Sequence, residues 1–181
     1  EIINDTAHVT DLRAICRRYF NPTGAQASAN IGELPIGVPS NLIPYITQTG
    51  IGIREQLTIH GGDYDTMDGT CIRDYIHVVD LAQAHLKALD HLADNCKDGS
   101  VDIINIGTGN GSSVLEVVNT FNDVANTDLN YKIGPRREGD VIAVYADATK
   151  AKEVLGWEAE LDLKDMLASA WKWQQKLNEK Q

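Results

Sequence analysis

Two arginine-bearing segments hold most of the chemistry that this 181-residue sequence can offer. The first is Arg73-Asp74-Tyr75-Ile76-His77, a β-like stretch in which Arg73, Tyr75 and His77 would share one face and Asp74 would point away. The second is the turn Pro135-Arg136-Arg137-Glu138-Gly139-Asp140. A guanidinium presents five donors in a planar fork, suited to bidentate contact with a phosphate. Sixteen Lys and Arg against 26 Asp and Glu give a net charge of −10, and that field repels anions at long range. An anionic ligand must therefore be gripped by particular arginines, for which Arg73, Arg136 and Arg137 are the candidates. The same field argues against nucleic acid as a partner. Each segment also has a plainer reading, as a surface salt bridge at a strand end or as a solvated turn.

The elements that would carry these residues read as an α/β chain. Residues 1–11 read as a helix tail. Residues 13–20 read as a strand that ends in the turn Asn21-Pro22-Thr23-Gly24, and a loop rich in Gly, Pro, Asn and Ser runs on to 41. Asn41 is placed to cap a helix through Thr49, with Pro44 in its first turn. Residues 56–60 read as a short strand, and Asp80 as the cap of a helix through Asn95 that buries Leu81, Ala84, Ala88, Leu89 and Leu92. Residues 101–106, VDIINI, form a near-continuous apolar run expected of a strand covered on both faces. Ser113 and Glu116 form a capping box for a helix over 114–126. Asp147 or Thr149 starts a short helix that Gly156 stops, and Asp162 caps the last helix. Strands separated by helices fit either one mixed domain or pieces of two.

The loop Gly107-Thr108-Gly109-Asn110-Gly111 follows a strand and opens toward a helix, as an anion cradle would. Its spacing is G-x-G-x-G and not the dinucleotide-binding G-x-G-x-x-G, so it reads as a tight strand-to-helix turn. Three cysteines, an odd number irregularly spaced, predict reduced thiols, a cytoplasmic setting and no metal site. No apolar run approaches the roughly 18 residues of a membrane span, so no membrane role is expected.

Five blocks, taken in order, strongly resemble the second half of UDP-glucose 4-epimerases, a branch of the extended short-chain dehydrogenases/reductases. They are Arg18-Tyr19-Phe20-Asn21-Pro22, Pro39-Ser40-Asn41-Leu42, Thr58-Ile59-His60, Gly69 through Asp80, and Arg136 through Asp140. The resemblance implies the last strands of a doubly wound, Rossmann-type parallel sheet together with a smaller mixed α/β substrate-binding domain. Residues 1–21 and 97–126 would belong to the dinucleotide-binding domain, and 22–96 and 127–181 to the substrate domain. It implies NAD as cofactor, with Tyr19 and Phe20 beside the nicotinamide. It implies UDP-glucose and UDP-galactose as substrates, with Asn21 on the diphosphate or sugar and Asn41 and Leu42 at a nucleotide-contacting helix start. Thr58, Ile59 and His60 would pair their backbone with uracil. Arg73 and Arg137 would clamp the diphosphate, Tyr75 would join the substrate side, and Asp140 would hold the ribose hydroxyls. His77 and Asp80 would support the fold.

The sequence departs from that pattern in informative ways. The glycine-rich NAD turn and the Tyr-x-x-x-Lys pair of the family are not found in it, so this chain alone is expected to be inactive. Many relatives carry a phenylalanine or tyrosine where His60 stands. Val144 stands where some bacterial relatives have a bulky tyrosine, and a smaller wall would admit UDP-N-acetylhexosamines. A homodimer is expected of the full-length protein. A non-catalytic nucleotide-sugar-binding module, a ligand-free remnant, and a related nucleotide-sugar epimerase or 4,6-dehydratase stand as alternatives.

Overall fold

In the computed structural model, which describes residues 1–179, the chain runs through six helices and nine short strands. In order they are α1 (Ile2–Val9), β1 (Ala14–Tyr19), β2 (Asn21–Thr23), α2 (Leu42–Gly50), β3 (Leu57–His60), β4 (Ile72–Arg73) and β5 (Tyr75–His77). There follow α3 (Val78–Asp94), β6 (Val101–Ile106), β7 (Ser112–Ser113), α4 (Val114–Ala125), β8 (Tyr131–Gly134), β9 (Ala143–Val144), α5 (Thr149–Leu155) and α6 (Leu163–Asn178). The α/β class is as expected, and three parallel pairs dominate it: β1 with β6, β2 with β5, and β3 with β8. A fourth, three-stranded sheet has β4 between antiparallel β7 and parallel β9.

Local signals placed the helices well. Ser113 and Glu116 form the reciprocal capping box of α4, and Asp162 with Asp165 forms another at α6. Gly156 ends α5 at φ +58°, a left-handed position that glycine takes without strain. Three expectations need correction. Asp80 does not cap α3: His77 does, its Nδ1 accepting from the Val79 N–H, while the buried Asp80 carboxylate accepts from the Glu160 and Leu161 amides. Asn41 holds the N-cap position of α2, but its side chain makes no capping bond; its amide donates to Glu33 Oε1. Asn21-Pro22-Thr23 is no turn but a strand beside β5, where a two-stranded pairing leaves Pro22 an edge that needs no N–H.

Two buried clusters hold the elements together. One packs α2, β3, α4 and α6 through Ile46, Ile59, Val117, Phe121, Met166 and Leu167, with Trp171 edge-on to the Phe121 ring at 5.4 Å. The other packs α3 and α5 on the β1–β6 pair through Ala84, Ala88, Ile104, Ile106, Leu155 and Trp157. Strand β6 is covered on one face only: Ile104 and Ile106 are buried, but Ile103 is exposed. Leu89, expected on the buried face of α3, is exposed as well.

His77 joins the two clusters. Ser169 Oγ accepts from the Ala25 N–H, donates to the Met166 carbonyl and lies 3.0 Å from His77 Nε2. With the serine proton spent on Met166, Nε2 must be the donor and Nδ1 the acceptor at the helix cap. Protonation would set a second N–H against that of Val79. Burial lowers the His77 pKa below its usual value, more than Asp80 and Asp165 raise it. A depressed histidine pKa favours the folded state fully above the unfolded value of about 6.5, and that contribution is lost as pH falls through the folded value. The urea midpoint is therefore expected to drop between pH 7.5 and 5. His77→Asn, which can cap but not titrate, should flatten that part of the profile.

Candidate functional site

At the end of β1 the chain passes directly into the arginine segment's neighbourhood. Tyr19 is exposed and Phe20 half-buried, and the next residue, Asn21, donates both its backbone N–H and its side-chain amide to the Asp74 carbonyl, at 3.0 and 2.8 Å. Strand β1 is thereby tied to the Arg73–Tyr75 segment at the carboxyl end of a parallel pair, where α/β folds place ligands.

Arg73 reaches across to the second arginine loop. Its guanidinium donates to Asp140 Oδ1 at 3.2 Å, the Val141 carbonyl at 2.9 Å and the Ile72 carbonyl at 2.8 Å. The Asp140 N–H donates to the Arg137 carbonyl, closing the turn so that Arg137 projects from the same loop into solvent. Val144 sits opposite Arg73 in the β4–β9 register. Arg73, Arg137, Asp140 and Val144, expected from separate blocks of sequence, thus meet around one loop. Arg136 does not join them: it pairs with Asp63 at 2.7 Å and stacks on the Tyr64 ring 4.2 Å from its centroid. That pairing holds the Asp63 carboxyl below its usual range and lifts the Arg136 guanidinium above its own.

Strand β3 offers a backbone edge. Leu57 N–H and Gly61 N–H donate to the Asn130 and Gly134 carbonyls of the β8 side. By the alternation of a parallel ladder, the N–H and C=O groups of Thr58 and His60 point the opposite way, to the open edge of a two-stranded sheet. Ile59 contributes its side chain to the core. Asn41 and Leu42 stand at the α2 start, with Asn41 held by Glu33. Tyr75 is not an exposed contact: it is buried in the first cluster, and burial pushes its hydroxyl pKa far up. Burial likewise raises the Cys71 thiol, leaving a poor nucleophile.

Sequence reasoning passed over the residue that organises this region. Asp74 is fully buried, and its carboxylate accepts from Thr108 N–H (3.0 Å), Thr108 Oγ1 (2.7 Å), Gly109 N–H (3.1 Å) and Ala146 N–H (3.0 Å). The glycine loop after β6, expected as a plain strand-to-helix turn, does cradle an anion, and the anion is the protein's own carboxylate. A Cβ at Gly107 would stand 2.6 Å from Asp74 Oδ2, so the loop must be bare there. The signal that could have revealed this is a strand aspartate, facing the core, opposite a loop with free amides. Among the described residues no cluster of three or more His, Cys, Asp or Glu side chains could hold a metal ion, and no helix is long and apolar enough to cross a membrane.

The family model described as GDP-mannose 4,6 dehydratase matches residues 1–170. The chain belongs to this family. Within it, the similarity runs to UDP-glucose 4-epimerases. The human enzyme of that name is 52% identical over 161 residues, which is 89% of this chain and 45% of the human one. A crystal structure of the Stenotrophomonas maltophila UDP-glucose 4-epimerase, with bound NAD and formylated UDP-arabinopyranose, superposes with a TM-score of 0.95 at 45% identity. That match covers 99% of this chain and 53% of the other. The Bifidobacterium longum enzyme, in complex with NAD+ and UDP, gives 0.89 at 46% identity, covering 95% and 51%. The chain spans about half the length of the curated relatives it matches. The mixed α/β fold with its parallel strands is that of these Rossmann-type neighbours.

Proposed function

We propose that this chain is the substrate-gripping half of a UDP-glucose 4-epimerase that interconverts UDP-glucose and UDP-galactose through a 4-keto sugar. The observation that carries the reading is the meeting of Arg73, Arg137 and Asp140 at one loop, two guanidinium groups and an acceptor of the kind a nucleoside diphosphate requires. Arg73 is preorganised by two carbonyls, and Arg137 is free to turn toward a phosphate. Together they offset locally the repulsion of a chain of charge −10. Asp140 would accept from the ribose hydroxyls, the open backbone edge of Thr58 and His60 would pair with uracil, and the His60 imidazole would stack less area on the base than an aromatic ring. Asn21, Asn41 and Leu42 would line the diphosphate and sugar.

The residues present fit one side of an NAD site. Tyr19, exposed at the carboxyl end of β1, suits the nicotinamide edge, with Phe20 behind it. The amides of Thr108 and Gly109 are spent on Asp74, so the dinucleotide phosphates do not fit at the glycine loop. When bound, NAD would supply hydride acceptance and return at C4. This chain's own share is to orient the sugar by its diphosphate. We assign residues 1–21 and the strand 101–106 to the dinucleotide-binding domain. The packing of α3 on β1–β6 and of α4 on α2 and α6 supports trading those two helices between the 22–96 and 97–126 segments. Three free thiols support a cytoplasmic location, and a homodimer is proposed for the full-length protein.

Turnover of UDP-galactose by the complete protein carrying this chain tests the reading. Val144 leaves a small wall beside Arg73, so UDP-N-acetylglucosamine should also turn over. Val144→Tyr is expected to abolish the acetylated reaction and keep the other. UDP binding without turnover would instead make this a binding module. Failure to bind UDP at all would discard the proposal.

A further inference from the structure

The helix α6 holds the loop that leads into α2 at four points along one side. Ser169 Oγ accepts from the Ala25 N–H, and Lys172 donates to the Ala27 carbonyl at 2.9 Å. Trp173 Nε1 donates to the Glu33 carbonyl at 2.8 Å, and Lys176 donates to Asn30 Oδ1. Residues 169, 172, 173 and 176 follow the i, i+3, i+4, i+7 spacing of a single helix face. Gly32 lies on the indole itself: a Cβ there would stand 2.5 Å from Trp173 Cγ. The last anchored residue is Glu33, whose side chain reaches forward to accept from Asn41 Nδ2 at 2.9 Å.

That bond fixes the orientation of the Asn41 side chain. An ionised carboxylate only accepts, so the amide nitrogen must face Glu33 and Oδ1 must face elsewhere. The Asn41 backbone, at φ −90° and ψ 148°, already has the extended conformation of a capping residue, yet its side chain makes no capping bond. Pro44, third in the helix, has no N–H to offer, which leaves the Leu42 and Ile43 amides as first-turn donors without an intrahelical acceptor. An asparagine free to move in this place would swing its Oδ1 onto the Ile43 N–H, as asparagine does at helix starts generally. Glu33 holds it off.

We propose that Glu33 is a positioning residue for the nucleotide sugar: anchored on Trp173, it keeps the Asn41 side chain off the start of α2 and turned to the ligand. The inference rests on the nucleotide-sugar reading of this chain, in which Asn41 and Leu42 line the diphosphate and sugar. Glu33 acts through Asn41 and not on the ligand. By charge alone it hinders an anionic substrate, because it adds to a field that is already −10. Its positioning effect on binding is therefore opposite in sign to its Coulomb effect, and the two can be told apart.

Glu33→Ala removes the acceptor and the charge together, whereas Glu33→Gln removes the charge and keeps an oxygen for Asn41. UDP titration by calorimetry and thermal unfolding, on the same preparations of the protein carrying this chain, give the two readouts. Glu33→Ala should bind UDP about fivefold more weakly, although one negative charge is gone, and unfold at an equal or higher Tm because Asn41 then caps α2. Glu33→Gln should bind at least as tightly as the unmodified protein. In an Asn41→Ala background, Glu33→Ala should weaken binding no further, since the carboxylate acts through that amide. Unchanged or tighter UDP binding by Glu33→Ala would overturn the inference. So would an equal loss in Glu33→Gln, a lower Tm in Glu33→Ala, or a loss that persists without Asn41. If the unmodified protein does not bind UDP, the nucleotide reading fails first and takes this one with it.

Discussion

Asp74→Ala is expected to cost about 4 kcal/mol or more of unfolding free energy, measured as a shift in the denaturant midpoint. The substitution leaves the Ala146 amide buried and unpaired, at about 1–3 kcal/mol, takes the acceptor from the part-buried bonds of the Thr108 and Gly109 amides, and frees the Thr108 hydroxyl. A domain of this kind has only about 5–15 kcal/mol to lose. Asp74→Asn keeps the shape but turns an N–H₂ group toward donors, so it should recover little. A variant of either kind with near-native stability would mean that the glycine loop finds water or another acceptor, and that the carboxylate is not its organiser. The contrast with Arg73, the neighbour that sequence reading favours, is physical. Arg73 serves a ligand at the rim, while Asp74 holds the rim in position from beneath.

Arg137→Ala should leave the fold intact and weaken UDP binding by about 1.5–3 kcal/mol, a Kd roughly ten- to a hundredfold higher. Arg137 is exposed, and among the described residues its side chain makes no hydrogen bond or ion pair, so little else is lost with it. The adjacent Arg136→Ala provides the control. Arg136 is committed to an exposed pair with Asp63 and to the Tyr64 ring, contacts that solvent screening leaves weak at such a surface. Its effect on UDP should be several times smaller. Equal losses from both arginines would show a general field effect in place of a clamp, and raising the salt concentration would then erase them alike.

What could be read from the chain followed from how far apart the interacting groups lie. The capping box of α4 joins residues three apart and was legible, as was the Asp162 cap of α6, whose return bond from Asp165 was not foreseen. The β6 strand was legible from its apolar run, β1 as a stretch ending at a turn-like Asn-Pro-Thr-Gly, and the arginine loop from its resemblance to a family. Asp80 reads as a helix cap because the nearest amides are local, yet its carboxylate turns to Glu160 and Leu161, reached only through the fold. Asn21-Pro22-Thr23 has the composition of a turn, and only the distant Tyr75–His77 segment makes it a strand. Tyr64 left no mark at all in the sequence, since nothing near it suggests a buried hydroxyl. Ile103 misled in the opposite direction: an apolar run predicts two covered faces, and in this chain one is open.

The parallel pairing of the strands also sets when this chain can fold. Tyr19 must wait for Ile106, Thr23 for His77, and Thr58 for Lys132 before any of these ladders closes. The first core cluster is incomplete until Met166 and Leu167 arrive with the last helix. Loop closure over such separations is paid before the pairing repays it, which makes assembly slow. During synthesis the helices can flicker, but the β1–β6 and β3–β8 ladders have no partners until more than half of the chain has emerged. Over that interval Ile15, Ile104 and Ile59 have no cover, and a chaperone has its clearest opportunity to bind.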